Sequence, residues 1–142
     1  MRFIVLVKAT PESETGKLPG KEVFEAMGKF NEGMVKAGIM LAAEGLYPTS
    51  KAARIRFNGK QRTVIDGPFT ETKELVAGFW LIQVKSKEEA IEWMKRSPFQ
   101  DGEIELRPIL EMSDLPADVF PPDAVAREQQ MRDEIKQKGG SA

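Results

Sequence analysis

Two stretches at helical spacing, residues 21–37 and 86–97, each stand between short runs of β-branched and aromatic residues. This alternation constrains the fold more than any other feature of the chain. Phe3 to Val7 is a continuous apolar run, the pattern of a strand buried on both faces. Residues 9–20 carry Pro11, Gly16, Pro19 and Gly20 among polar residues and read as a loop, long enough that it is expected to cover something. Val23, Met27, Phe30 and Met34 then recur at helical spacing, with Phe24 and Val35 widening the stripe and Gly38 as its stop. Ile39 to Leu46 reads as a second strand. Ala53–Phe57 and Gln61–Ile65 flank Asn58-Gly59, a two-residue turn whose positions both need positive φ, and so read as a hairpin. Leu75 to Val84 is a long apolar strand. Ser86 and Glu89 form a capping box ahead of Ala90, Ile91, Trp93 and Met94, and Ser97-Pro98 ends that helix. Glu103 to Glu111 alternates as a last strand, with Pro108 marking an edge or a bulge.

The order is strand, helix, strand, hairpin, strand, helix, strand. Without the hairpin it is βαββαβ, the ferredoxin-like split unit, so an α+β fold is expected over residues 1–112. Its helices cover one sheet face. The other face keeps apolar side chains from Phe3–Val7 and Val76–Val84, which predicts a homodimer formed sheet to sheet. A cleft between sheet and helices, or between subunits, is left for a ligand. Residues 113–142 read as a Pro/Asp linker and a helical tail. Glu128–Arg132 and Glu134–Lys138 pair along one turn of that tail, but its apolar content is too thin for it to stand alone.

The chain has 142 residues, enough for one core. Its 21 basic and 22 acidic residues nearly cancel, which argues against nucleic acid or an anionic membrane surface as partners. The N-terminal apolar run is too short for a signal peptide or a membrane span, so a cytoplasmic protein is expected. There is no cysteine and no histidine. Disulfides, thiol catalysis and the commonest general base are therefore absent. No metal or cofactor is implied, and any metal would have to be held by oxygens. Acid–base chemistry falls to Asp, Glu, Lys or Tyr.

Asp66-Gly67-Pro68-Phe69-Thr70-Glu71-Thr72-Lys73-Glu74 is the most distinctive string in the chain. Asp beside Gly and Pro closes turns by bonding amides two residues on, and Phe69 is placed to anchor the loop. The segment closely resembles the DGPF signature of the YCII-related domain family. Ala43-Glu44-Gly45-Leu46-Tyr47-Pro48, Gly78-Phe79, Ala90-Ile91-Glu92-Trp93 and Ile104-Glu105-Leu106-Arg107-Pro108 resemble other blocks of that family in the same order. The resemblance implies a dimeric α+β barrel built on the ferredoxin-like unit, an uncharacterised biochemistry, and an association with alternative sigma factors. Related proteins have a proposed His–Asp site, which this chain cannot form. Members of this branch also often carry a histidine before the last strand, where this chain reads Gln100-Asp101-Gly102.

Asp66 is the first candidate catalytic residue, as a general base whose pKa would need raising by burial; the competing reading is a turn-closing carboxylate. Lys73 and Glu74 are candidates for a cation and a second carboxylate, or else a solvated loop pair. Glu44, Arg107 and Trp80 are candidate ligand-binding residues: Arg107 as a partner for Glu44 across the sheet or a clamp on a small anionic ligand, Trp80 as a pocket wall. Three functions follow: a small-molecule acid–base enzyme of lyase or isomerase type; a non-catalytic ligand-binding or regulatory homodimer in a stress or sigma-factor setting; and a partner module that uses the tail helix.

Overall fold

The first apolar run forms β1 (Arg2–Lys8), and the computed structural model, which describes residues 1–71 and 74–139, continues through every element expected after it. These are α2 (Lys21–Lys36), β2 (Met40–Gly45), the hairpin β3 (Ala53–Asn58) and β4 (Gln61–Asp66), β5 (Val76–Gln83), α3 (Lys87–Met94) and β6 (Ile104–Pro108). Short helical pieces at Pro11–Glu14, Thr49–Lys51 and Met112–Asp114 were not expected. The segment read as loop contains a short helix, α1 (Pro11–Glu14), with Thr10 as its N-cap and Pro11 at its first position. Thr10 and Ser13 close a capping box: the Ser13 amide donates to Thr10 Oγ1 at 3.1 Å, and the Thr10 amide donates to Ser13 Oγ at 2.9 Å.

β1 lies between β5 and β6, and β2 pairs with the far side of β5, giving the antiparallel order β2-β5-β1-β6. This is the ferredoxin-like arrangement, with β3 and β4 paired apart from it as a two-stranded sheet. Pro108 falls at the end of β6, an edge strand, where the missing amide hydrogen breaks no ladder.

Register decides which side chains meet the helices. Phe3, Val5 and Val7 lie opposite Ile82, Trp80 and Gly78 on β5, while Val5 and Val7 face Leu106 and Ile104 on β6. Successive strand residues point to opposite faces, so these residues share the face covered by α2 and α3. Phe3, Val5, Met34 and Ile82 are fully buried there, and each such burial contributes about 1.5–3 kcal/mol. Ile4 and Leu6 pair with Leu81 and Phe79 on the other face and are only half-buried. The expectation that β1 is buried on both faces is corrected accordingly.

The α2 stripe is narrower than its sequence suggested. Met34 is buried, and Met27 and Phe30 pack on the core, but Val23, Phe24 and Val35 are exposed. Gly78 is required by backbone proximity, because a Cβ there would stand 2.9 Å from the Glu44 carbonyl oxygen.

The second compact unit begins at Leu110. It holds a single helical turn, Met112–Asp114, and α4 (Pro122–Gly139). The expected Glu128–Arg132 ion pair forms at 3.3 Å, joined by Asp123–Arg127 at 3.4 Å. Among the described residues, no helix is long and apolar enough to cross a membrane.

Candidate functional site

The signature loop is held by its backbone. The Gly67 amide donates to the Ala52 carbonyl at 2.9 Å. A Cβ on Gly67 would lie 1.7 Å from the Thr49 carbonyl oxygen, so no other residue fits without moving the chain. The Phe69 amide donates to Thr49 Oγ1 at 3.0 Å, and the Thr49 hydroxyl donates in turn to Glu14 Oε2 at 2.5 Å. The Thr49 amide adds a bond to Glu14 Oε1 at 3.2 Å. Arg54 lays its guanidinium on the Phe69 ring, 3.8 Å from the centroid, a cation–π contact that caps the loop.

Asp66 takes no part in this clasp. Two residues on from it is Pro68, which has no amide hydrogen, and the next amide, that of Phe69, is taken by Thr49. The expected turn bond from Asp66 is therefore replaced by the Thr49 hydroxyl, and the Asp66 side chain is exposed. Thr49 and Glu14 escaped notice in the sequence because they lie 35 residues apart and neither belongs to a motif.

Concavity lies elsewhere. A cavity of about 600 Å³ opens between α1, α3 and the β1–β5–β6 end of the sheet. Its walls are largely apolar, with Met94, Phe99, Ile104 and Leu106 prominent, and the exposed residues Asp101 and Glu103 are part of its lining. Thr10 and Ser13, the capping pair of α1, line the same space. Glu14, the next residue, is the one clasped to Thr49, so the signature loop and the α1 wall of the cavity are joined by one hydrogen-bond relay. A second cavity, of about 320 Å³, lies against Met27, Asn31, Glu44 and Trp80. The Trp80 indole N–H donates to Asn31 Oδ1 at 2.8 Å, which satisfies a buried donor and fixes the ring. Phe30 and Phe99 meet that ring edge-on, with centroids 5.8 and 6.0 Å away.

The residues singled out from sequence are thus dispersed. Trp80 and Glu44 line the smaller cavity. Asp66 and Glu74 are exposed and line neither of these two cavities. Lys73 lies outside the described residues. Arg107 is on β6, on the face away from the helices, and pairs with Glu105 at 3.7 Å. The expected Glu44–Arg107 pair does not form within the chain, because β5 and β1 stand between their strands. Asp101 is hard to single out from sequence, because Gln100-Asp101-Gly102 has the composition of a plain turn.

The chain matches the YCII-related domain over residues 1–113, most of its length. It belongs to the YCII-related domain family. An uncharacterised protein of Rhizobium meliloti (strain 1021) is 37% identical over 78 residues, covering 53% of this chain and 63% of that protein. The chain thus spans somewhat under two thirds of that relative's length. Among solved structures, the 5-chloro-2-hydroxyhydroquinone dehydrochlorinase of Burkholderia phenoliruptrix AC1100, in complex with 2,5-dihydroxybenzoquinone, is 15% identical. The match covers 81% of this chain and 100% of that one, with a TM-score of 0.39. Within the YCII-related frame, the signature motif here is the part that closes the loop onto Thr49, and the cavity is built from α1, the sheet, α3 and the segment that follows α3.

Proposed function

We propose that this YCII-related protein binds a small, largely apolar organic molecule in the larger cavity, with Asp101 and Glu103 hydrogen-bonding to it or moving a proton on it. The observation that carries this reading is the cavity itself: its volume falls within the range of small-molecule sites, about 300–1,000 Å³, and few polar groups stand in its apolar walls. With no histidine or cysteine in the chain, carboxylates are the natural proton acceptors. Turnover of lyase or isomerase type is the catalytic form of this proposal. A panel of small aromatic and alicyclic compounds screened by thermal shift tests it. Several are expected to raise the melting temperature of the native chain, with the gain reduced in Asp101→Asn. Failure of every compound to shift it would count against the cavity as a site.

A second reading is a regulatory homodimer that binds without turnover. Ile4, Leu6, Phe79 and Leu81 share the sheet face opposite the helices, half-buried and aligned by register. A second copy packed there would remove that apolar surface from water. Leu6→Glu is expected to lower the molar mass seen by light scattering to that of one chain; a wild type that is already monomeric would contradict the dimer. The catalytic reading of Asp66, Lys73 and Glu74 places the ligand outside both cavities, and loss of turnover in Asp66→Asn with retained melting temperature would favour it over the cavity.

A further inference from the structure

The loop from Asp66 to Phe69 lines neither of the two cavities, yet it is tied to a wall of the larger one. That wall is residues 10–19, a strap that carries α1, from which Thr10, Ser13 and Pro19 line the space. No residue of the strap is buried. It leaves the sheet at Ala9, whose amide donates to the Leu75 carbonyl at 2.9 Å, and it ends at Gly20, which starts α2 with no side-chain cap. Gly16, at a φ of 83°, turns the chain midway. Among the described residues, the hydrogen bonds that leave the strap between these ends both join Glu14 to Thr49: the amide donates to Oε1 at 3.2 Å and the hydroxyl to Oε2 at 2.5 Å. A segment with no buried side chain and so few bonds lies at the low end of local stability, where opening costs least.

The other side of this contact is firmly placed. Thr49 begins the helical turn Thr49–Lys51, and its Oγ1 accepts the Phe69 amide at 3.0 Å. The Gly67 amide holds the end of the same turn through the Ala52 carbonyl. The signature loop thus fixes the hydroxyl that the strap's carboxylate receives. Neither Glu14 nor Thr49 lines the larger cavity, so their bond acts on a ligand there only through the strap.

Building on the cavity reading above, we propose that residues 10–19 are a lid on the larger cavity and that the signature loop latches it shut through Thr49 and Glu14. A hydroxyl and an amide on one carboxylate are charge-assisted bonds, strong enough to keep an otherwise loose segment closed at rest. The latch sets how fast a ligand enters and leaves, as lids do, and not which ligand is held. The motif then serves the site without touching it, which agrees with an Asp66 side chain left in solvent.

The test is stopped-flow fluorescence with N-phenyl-1-naphthylamine, a neutral apolar probe that brightens on leaving water. Glu14→Ala and Thr49→Val cut the latch from opposite sides. Each is expected to raise the association and dissociation rate constants together, by about tenfold, with Kd moved by less than about threefold. Thr49→Ser, which keeps the hydroxyl, is expected to keep the native rates. Native rates in both latch variants would overturn the lid and leave the cavity reading standing. Faster dissociation alone, with weaker binding, would also overturn it, because the strap would then be a plain wall. Ile104→Trp, which fills the cavity, is expected to abolish binding; undiminished binding in that variant, or none by the native chain, would overturn the cavity reading and the lid together. Circular dichroism at the assay temperature is expected to show both latch variants folded, and since they alter different elements either one alone reads the latch. Loss of the fold in both would make the bond a support of the whole domain and overturn its role as a latch.

Discussion

The loop from Asp66 to Phe69 and the cavity after α3 contrast in how sequence and structure weight them. The loop is the most distinctive string in the chain, yet its contacts are made by the Gly67 backbone, the Phe69 amide and the Phe69 ring, while the Asp66 carboxylate is left in solvent. The cavity is walled by residues that look ordinary in sequence, such as Met94, Phe99 and Ile104, and it is the larger concavity. The difference has a physical cause. A backbone approach that leaves no room for a Cβ admits one residue type, so it writes a motif. An apolar wall admits many residues of similar size and writes none.

Gly67→Ala should break the loop side of this comparison with the largest effect. Its methyl would overlap the Thr49 carbonyl, and forcing backbone apart costs about 3 kcal/mol or more. Urea denaturation measures that cost; a change below about 1 kcal/mol would contradict the close approach. Next comes Thr49→Val, which keeps the shape and the amide bond to Glu14 Oε1 but removes the hydroxyl that joins the Phe69 amide to Glu14 Oε2. A loss of about 2 kcal/mol is expected, with faster amide hydrogen exchange in residues 10–16, because the relay from the loop to α1 is cut. Exchange there at the wild-type rate would show that α1 stands without the loop.

Trp80→Phe sharpens the cavity side. It retains an aromatic ring and deletes the donor to Asn31 Oδ1, for a loss of about 1 kcal/mol by thermal or chemical melting. A loss as large as that of Gly67→Ala would mean the ring's packing, not its hydrogen bond, dominates. The smallest effect belongs to Asp66→Asn. An exposed carboxylate with no side-chain bond among the described residues should shift stability by no more than about 0.5 kcal/mol and leave ligand protection unchanged. A larger shift in either would restore Asp66 to the place that its motif suggested.

Much of the fold was legible because its signals are local. The stop at Gly38 with its φ of 71° and the Ser86 cap receiving the Glu89 amide at 3.1 Å are each written within a few residues. The hairpin forms as expected, but its turn is Gly59-Lys60 and not Asn58-Gly59: Asn58 still pairs with Gln61, and of the two expected turn residues only Gly59 has a positive φ, 59°. Glu89 nonetheless reaches back to the Lys85 amide, one residue before the cap. Thr10, Pro11 and Ser13 spell out the start of α1, but Pro11, Gly16, Pro19 and Gly20 give residues 9–20 the composition of a loop. The site was less legible because its signals are distant. Glu14 meets Thr49 only in the folded chain, and Glu44 and Arg107 are separated by two strands that no local pattern reveals. Trp80 lines the smaller cavity, and its ring is placed by packing and by the partner that its N–H finds in Asn31.

The contrast between loop and cavity rests on where a ligand sits, and a crystal of the native chain soaked with a library of small aromatic fragments reads that position directly. The account predicts fragments bound between Phe99, Ile104 and Asp101, inside the space bounded by α1 and α3. Fragments gathered instead at Asp66 and Glu74, with that space left empty, would contradict it.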